Sequence, residues 1–208
     1  MVPKENMRQA IIDAAVAIVA QYGLDKTTTR LIATEANLNE MYLYRCFKNK
    51  EDILSKAFYA KDVDFVRHIH KALPVMRATT LTWKERCFQL WKTCWEFVLK
   101  KPDDCRFYIQ YYYSANCKKY AYAEHLKLYK PLINEISFAF KAETNVVMLL
   151  HQIFDTMLSF AERVQTGEFP NNKETTKATF RQVFGFVAIN ALPELLEADG
   201  RKLNEQNL

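Results

Sequence analysis

The residues between Asn39 and Lys50 carry the most distinctive chemistry in this sequence. The stretch "NEMYLYRCFKNK" places a glutamate, two tyrosines and three basic residues within a few turns of a predicted helix. A helix that only filled a core would not need so many polar groups. This composition indicates a surface that contacts another molecule, and the neighbouring elements indicate what kind of molecule that is.

The segments before this stretch are predicted to be helices that position it. Apolar residues recur at helical spacing from Met7 onward, which predicts a first helix that Gly23 can end. Thr28 or Thr29 can cap a short second helix, and Asn39 can cap a third. Two short helices joined by a tight turn after a longer helix form the helix-turn-helix pattern.

The two faces of these short helices differ in chemistry. The apolar side chains are expected to pack inward on the first helix: Ile32, Ala33, Ala36, Leu38, Leu43 and Phe47. In such modules the N-terminal end of the third helix enters the major groove of DNA. Four outward side chains would face base edges there: Asn39, Glu40, Met41 and Tyr42.

Basic residues around this end are candidates for contacts with the DNA backbone. Arg30, at the start of the second helix, can reach a phosphate or a guanine. Lys48 and Lys50 flank the N-terminus of the next helix, where backbone N–H groups also favour a phosphate. The segment is therefore predicted to bury one side and to read double-stranded DNA with the other.

Residues 8–58 resemble the DNA-binding domain of the tetracycline-repressor (TetR) family of transcriptional regulators. The resemblance is carried by "IIDAAVAIVAQYG", "TTTRLIATEANL" and "YLYRCFKNKEDIL". It implies that Tyr44 and Lys50 contact phosphates and that Phe47 lies in the core. It also implies that Thr29 and Arg30 contact the DNA backbone and, in some members, a base.

The sequence departs from the family pattern at the turn and on the third helix. Family members usually have glycine where this chain has Asn37, a residue that tolerates a left-handed conformation. They often have small residues where Met41 and Tyr42 stand. Tyr42 is therefore expected to contact bases differently, for example against a thymine methyl group, and Glu40 could accept from a cytosine amino group.

The whole chain is predicted to be all-α, with about nine helices. Only four glycines and six prolines occur in 208 residues, too few turn residues for a β-sandwich or barrel. We expect a DNA-binding domain at residues 1–50 and an effector-binding and dimerisation domain at residues 51–208, with a connecting helix at about 50–73. Further helices are predicted at about 81–100, 103–115, 118–141 with a kink at Pro131, 144–166 and 173–197.

The larger domain is rich in aromatic residues that could line an effector pocket. The candidates for this ligand pocket are Phe88, Trp91, Trp95, Tyr108, Tyr112, His151 and Phe154. Core packing is the competing interpretation of the aromatic residues, and a hydrogen-bonded core histidine is the competing interpretation of His151. Such a cavity would suit a small, mostly apolar or aromatic ligand, or a cationic one if Glu96 or Glu135 faces inward.

The family resemblance also implies partners. The middle helices would enclose an effector, and the last two helices, at about 144–166 and 173–197, would pair with a second subunit. A two-fold symmetric homodimer would match a palindromic operator. An effector that displaces the connecting helix would change the spacing of the two recognition helices, which describes a ligand-responsive repressor.

Other functional classes find little support in the residues. There is no Gly-rich phosphate loop, nucleophile elbow or HExxH motif, so we expect no enzyme, catalytic residue, cofactor or metal site. The alternative function is a helical adaptor or nucleoid-type protein that uses the same fold without an effector. The net charge of +5 is compatible with DNA but decides nothing alone.

The sequence also suggests a location. Five widely spaced cysteines without a CxxC pair are typical of reduced thiols in a cytoplasmic protein. We find no N-terminal secretory signal and no apolar stretch long enough to span a membrane. The polar C-terminal segment "EADGRKLNEQNL" is expected to fray.

Overall fold

The structure, a computed structural model, describes residues 4–197. The end of the predicted second domain and most of the C-terminal segment expected to fray lie outside the described residues. Between residues 4 and 197 the chain is helical without any β-strand, apart from one isolated antiparallel bridge between Phe140 and Ala191. The all-α fold class predicted from the sequence is confirmed.

Four helices make up the N-terminal part of the chain: α1 (Lys4–Tyr22), α2 (Thr29–Glu35), α3 (Glu40–Cys46) and α4 (Lys50–Ala72). A 3₁₀ helix, Leu73–Arg77, follows α4. The remaining α-helices are α5 (Trp83–Leu99), α6 (Pro102–Tyr112), α7 (Ala115–Tyr120), α8 (Tyr122–Ile136), α9 (Val146–Gln165) and α10 (Lys173–Asn190). A second 3₁₀ helix, Ser137–Ala139, lies between α8 and α9.

The predicted helix at 118–141 is wrong in its extent, because this region contains two α-helices. Ser114 caps α7 by accepting a hydrogen bond from the Cys117 amide, and Ala121 leaves the helical backbone conformation with φ −129°. Helix α8 then continues through Pro131 and ends at Ile136. The described residues therefore contain more helices than the nine predicted.

Contacts divide the chain into two compact units. The first unit comprises the described residues up to Asp64 together with Lys101–Leu128. The second comprises Phe65–Lys100 and the described residues from Tyr129 onward. The boundaries fall inside α4 and α8, so each of these helices belongs partly to both units. The functional division at residue 50 stays a prediction.

The first unit has a continuous apolar core that joins the short helices to α6. Ile11, Ala15 and Val19 from α1 are buried with Ile32 from α2 and Leu43 from α3. The same core includes side chains from the later segment of the chain: Phe107, Tyr111, Cys117 and Ala121. The helix-turn-helix is therefore stabilised by α6 and by residues that follow it, which come after α4 and α5 in the sequence.

The second unit is built mainly on α5, α9 and α10. Helix α5 begins with a capping box in which the Thr82 hydroxyl accepts from the Glu85 amide and Glu85 accepts from the Thr82 amide. Its buried face carries Trp83, Trp91 and Trp95. These side chains lie among the buried residues of α9 and α10 and form the walls of the cavities described below.

Candidate DNA-binding surface and ligand cavities

Helices α2 and α3 form a tight helix-turn-helix corner. The Thr28 hydroxyl caps α2 by accepting from the Leu31 amide at 3.2 Å, and the Asn39 side chain caps α3 by accepting from the Met41 amide at 2.9 Å. Between them Asn37 adopts a left-handed backbone with φ 58°. The sequence predicted these features, and the structure identifies Thr28, not Thr29, as the cap of α2.

The inward residues of this corner are placed as the sequence predicted. Ile32, Ala33, Leu43 and Phe47 are buried, and Ala36 and Leu38 are partly buried against the same core. The Arg8 guanidinium lies 4.6 Å from the Phe47 ring and donates to the Cys46 carbonyl oxygen at 2.8 Å, which ties the C-terminal end of α3 to α1. These two contacts of Arg8 fix the C-terminal end of α3 against α1.

The outer face of α3 exposes large side chains. Met41 is 58% exposed and Tyr44 is 56% exposed. Tyr42 is only half-buried, and the Arg45 guanidinium lies 4.9 Å from its ring. Exposed large apolar or aromatic groups on a short helix need a reason, and contact with base edges in a groove would supply one.

Three of the predicted DNA contacts also contact one another. The Thr29 hydroxyl donates to Glu40 Oε1 at 2.5 Å, and the Tyr44 hydroxyl donates to Thr29 Oγ1 at 3.4 Å. The Glu40 carboxylate is thereby held between the N-terminal ends of α2 and α3. The sequence could not show this contact, because eleven residues separate Thr29 from Glu40.

The basic residues occupy two kinds of environment. Arg30 and Lys48 are exposed. Lys50 is half-buried, and its ammonium group donates to the Thr27 carbonyl oxygen at 3.0 Å, next to the start of α2. Lys50 therefore connects α4 to the loop before α2 and brings a positive charge to this side of the corner.

A hydrogen-bonded cluster fixes α4 within the first unit. The Tyr111 hydroxyl donates to Glu51 Oε1 at 2.6 Å, and the side-chain amide Nδ2 of Asn116 donates to Glu51 Oε2 at 2.7 Å. Burial, followed by the hydrogen bond to Glu51, raises the pKa of Tyr111 well above its ordinary value. The phenol stays protonated and keeps donating, so the N-terminal turn of α4 is fixed beside Lys50.

A second cluster in the first unit contains a buried Asp–His contact that the sequence did not indicate. Asp62 Oδ2 lies 2.8 Å from His125 Nδ1, and both side chains are buried. The Tyr108 hydroxyl donates to the other Asp62 oxygen at 3.1 Å, and the Tyr112 ring lies 5.4 Å from that of His125. No local motif could reveal a pair separated by 63 residues.

The second unit contains an apolar cavity of about 100 Å³, here called the inner cavity. Trp91 and Phe154, two of the predicted pocket residues, line it. Its other walls come from α4, α5, α8, α9, α10 and the 3₁₀ helix after α4, and include Ile69, Leu73, Cys94, Leu132, Leu150, Met157, Phe180 and Val187. Such a lining suits an alkyl chain or another apolar group.

A larger cavity of about 410 Å³, here called the outer cavity, lies between α5 and the start of α10. Phe88 and Trp95, also predicted pocket residues, line it together with Leu99. Its polar lining was missed by the sequence analysis: Lys92, Glu96, Asn171, Asn172, Lys173, Thr176 and Lys177. The "NNKET" stretch carries an N-cap signal that could have located the start of α10, but it does not indicate a cavity.

The remaining pocket candidates line neither of these two cavities. Tyr108 and Tyr112 belong to the first unit and pack around Phe58 and His125. Their predicted place in the pocket with Trp91 is not supported, because helical spacing cannot tell which unit a side chain faces. His151 is half-buried on α9.

Of the two carboxylates considered, Glu96 lines the outer cavity and Glu135 lies 3.8 Å from His70.

No group of three or more His, Cys, Asp or Glu side chains in residues 4–197 is arranged to hold a metal ion. No helix in this range combines the length and the apolar character needed to cross a bilayer.

Comparison with known proteins gives a family match for a segment of the first unit. Residues 11–57 match the family model described as "Bacterial regulatory proteins, tetR family". A curated relative, the fatty acid metabolism regulator protein of Bacillus subtilis (strain 168), is 35% identical over 71 residues. That match covers 34% of this chain and 37% of the relative, so this chain matches just over a third of the relative's length.

Solved structures resemble the fold over most of the chain. A TetR family transcription regulator from Marinobacter aquaeolei VT8 has a TM-score of 0.74 at 20% identity, covering 88% of this chain and 95% of that one. A Bacillus subtilis transcriptional regulator solved in complex with stearoyl-CoA has a TM-score of 0.63 at 19% identity, covering 84% and 97%. At these identities the likeness concerns the fold alone.

Proposed function

We propose that this chain, which belongs to the tetR family of bacterial regulatory proteins, is a transcriptional repressor that binds a palindromic operator as a homodimer. The observation that carries the proposal is the capped α2–α3 corner, whose outer face exposes Met41 and Tyr44 beside Arg30 and Lys48. The repressor acts in the cytoplasm, where its operator DNA lies.

The proposal divides the DNA contacts into two groups. Side chains at the start of α3 read base edges in the major groove: Asn39, Glu40, Met41 and Tyr42. Residues around them position the protein on the phosphates: Thr29, Arg30, Tyr44, Lys48 and Lys50. The hydrogen bond between Thr29 and Glu40 supports this division, since it fixes a phosphate contact and a base contact relative to each other.

The partner subunit is proposed to bind at α9 and α10, the last two helices whose residue ranges are given above. Met148 on α9 and Ile189 on α10 are 70% and 71% exposed, and Val147 is 40% exposed. The segment before α9 borders the end of α10, because the Lys141 amide donates to the Asn190 carbonyl oxygen at 3.0 Å. These apolar side chains therefore lie at one end of the helix pair, where a second copy can cover them.

The dimer is tested by placing a charge on this apolar surface. Met148→Glu combined with Ile189→Glu is expected to convert the dimer to monomers in sedimentation velocity, because the new carboxylates would be buried against each other. Leu126→Glu, a similar change at an exposed position on α8, should leave the dimer intact. A variant that remained dimeric with both charges would place the interface elsewhere.

The effector is proposed to be a small molecule with an apolar chain that enters the inner cavity. The almost wholly apolar lining supports this, as do the relative named for fatty acid metabolism and the structural relative solved with stearoyl-CoA. Helix α4 carries Lys50 at its first residue and Ile69, which lines the inner cavity, near its end. A shift of this one helix would couple effector to DNA, and a coupling of about 1–3 kcal/mol changes DNA affinity roughly 5–150-fold.

The first experiment is fluorescence anisotropy with DNA from beside the protein's own gene and a scrambled duplex, over a salt series. Tight, selective binding with two subunits per site is expected for the repressor. If genomic DNA gives no selective binding, selection from random duplexes follows. Failure of that selection, with equal and weak binding to every sequence, would favour the alternative of an adaptor or nucleoid-type protein.

A further inference from the structure

We propose that the outer cavity binds the anionic head group of the effector, while its alkyl chain enters the inner cavity. The ligand class is then an amphipathic anion, a long alkyl chain that ends in a carboxylate or a phosphate. The inference rests on the proposed function, because it assigns a chemical class and a second binding compartment to the effector of that proposal.

Two aromatic contacts, here together called the aromatic layer, join the lining of the inner cavity to that of the outer cavity. Trp91 lines the inner cavity and Trp95 the outer one, and their rings stack with centroids 5.7 Å apart and an interplanar angle of 18°. Phe180 lines the inner cavity and Phe88 the outer one, with centroids 5.1 Å apart in an edge-to-face contact. For a ligand to occupy both cavities, at least one of these rings must move, and Phe88 is only half-buried.

The size of the inner cavity indicates that it does not form a complete ligand site alone. Ligand sites usually enclose about 300–1,000 Å³. The inner cavity, at about 100 Å³, holds only part of a ligand, whereas the outer cavity, at about 410 Å³, lies within this range. A ligand that spans the aromatic layer would fill both, with its apolar end inside and its polar end outside.

The polar lining of the outer cavity favours an anion. Three lysines, Lys92, Lys173 and Lys177, line this cavity, together with a single glutamate, Glu96. Glu96 is already 3.7 Å from the Lys92 ammonium, and Lys177 lies 3.5 Å from Glu174. Lys173 has no charged partner among the described residues. The N-terminus of α10 borders the same cavity, and its first-turn N–H groups also favour negative charge.

Two buried donors at the aromatic layer point to a ligand oxygen. Trp91 Nε1 and Trp95 Nε1 are buried and have no hydrogen-bond acceptor among the described residues. Trp95 is only 1% exposed, yet it lines the outer cavity. Buried N–H groups in proteins are nearly always paired, so two unpaired indoles at one place require an explanation. Neither nitrogen is accessible in the structure, so a head group whose entry shifts the two rings would supply the acceptors.

Calorimetry with three probes of equal chain length tests the proposal on the full-length protein. Dodecanoate and dodecyl phosphate carry the two anionic heads, and dodecan-1-ol carries a neutral one. The variant combines Lys173→Ala with Lys177→Ala, and Lys130→Ala serves as a control for charge loss at an exposed site on α8. All three lysines are exposed, so the variants are expected to fold.

The expected result is a loss of affinity confined to the anions. The double variant should bind dodecanoate or dodecyl phosphate about 10-fold more weakly than the unmodified protein, because two partly exposed charge contacts are lost. Its affinity for dodecan-1-ol should change less than about 2-fold. Lys130→Ala should bind all probes as the unmodified protein does. The anion that shows the larger loss identifies the head group.

Two results would overturn the inference. An equal loss of affinity for the anions and the alcohol would show that the lysines do not bind the head, and the chain could still enter the inner cavity. Binding of none of the probes would remove both this inference and the alkyl-chain effector. In either case, selective binding of the operator in the anisotropy experiment would leave the DNA-binding part of the proposed function intact.

Discussion

Lys50, at the start of α4, combines a contact within the protein with a proposed contact to DNA. Its ammonium group donates to the Thr27 carbonyl oxygen at 3.0 Å, yet the side chain remains partly accessible. A lysine ammonium has three donors, so the group can hold the loop before α2 and still contact a phosphate. In the proposed complex, the hydrogen bond to Thr27 would order the lysine before DNA arrives and reduce the entropy lost on binding.

Replacing Lys50 should therefore weaken DNA binding without changing sequence preference. Lys50→Ala is expected to lower affinity for operator and scrambled DNA by a similar factor and to reduce the salt slope by about one. Anisotropy titrations between low and moderate salt measure both quantities. Lys56→Ala, an exposed lysine further along α4, should leave the slope unchanged, and a selective loss of operator binding in Lys50→Ala would contradict the assignment.

Glu40 carries a negative charge where the proposed interface meets DNA. The Thr29 hydroxyl fixes this carboxylate at 2.5 Å, so it cannot easily turn away from the phosphates. In the proposed complex its repulsion would lower affinity for every sequence, and only an amino group on a base, such as that of cytosine, would compensate. Glu40 is thus expected to add selectivity at the expense of affinity.

Glu40→Gln should consequently bind scrambled DNA about 2–5-fold more tightly, because the change removes one charge near phosphates and keeps an acceptor for Thr29. The same anisotropy assay at low salt measures the change. Glu143→Gln, at an exposed position before α9, provides the control for net charge. Unchanged or weaker binding of scrambled DNA by Glu40→Gln would show that this carboxylate does not face the phosphates.

Among the elements, the turn between α2 and α3 depends on one backbone conformation. Asn37 has φ 58°, a left-handed value that costs most residues other than glycine about 1–2 kcal/mol. The Leu38 amide donates to the Ala33 carbonyl oxygen at 2.9 Å across this turn, so the conformation also closes the end of α2. The crossing of α2 and α3 therefore depends on the residue at position 37.

Asn37→Ala is expected to lower the free energy of unfolding by about 1 kcal/mol, whereas Asn37→Gly should change it little. Urea denaturation followed by circular dichroism gives both values. Glu35→Ala, at an exposed position at the end of α2, should behave like the unmodified protein. Equal stabilities for the alanine and glycine variants would mean that the turn relaxes to a different conformation.

The sequence predicted the elements of the first unit better than the cavities of the second. The caps at Thr28 and Asn39 depend on residues a few positions away, so local patterns predict them. The break at Ala121 has no glycine or proline to mark it, and the helices around it were predicted as one. Which of Trp91 and Tyr112 faces a cavity depends on tertiary packing, because both occupy apolar helical stripes.

For the whole molecule, buried thiols link stability to pH. Burial raises the pKa of the Cys94 thiol from 9.0 to about 12, and burial with the nearby Asp62 and Glu51 carboxylates raises that of Cys117 to about 12. The unfolded chain therefore loses these protons before the folded one does. Their contribution to stability is complete below about pH 9 and is lost as the pH rises from 9 towards 12.

The free energy of unfolding should therefore fall above pH 9, with Cys94 contributing about 1.4 kcal/mol per pH unit. Urea denaturation at pH 8 and pH 10 measures the loss. Cys94→Ala is less stable at both values because it leaves a cavity, but its loss between them should be smaller. Identical losses for the two proteins would show that the Cys94 thiol ionises equally well in the folded state.

The stacked pair Trp91 and Trp95 gives the protein a spectroscopic signal of its own. All three tryptophans of the chain, Trp83 included, lie in the second unit, and the first unit has none. Fluorescence excited at the red edge of indole absorption should therefore report only on the unit that contains the cavities. Two indoles 5.7 Å apart should also couple their excited states and give a paired band in near-ultraviolet circular dichroism. Loss of that band on adding a ligand would reveal the parting of the two rings without any label.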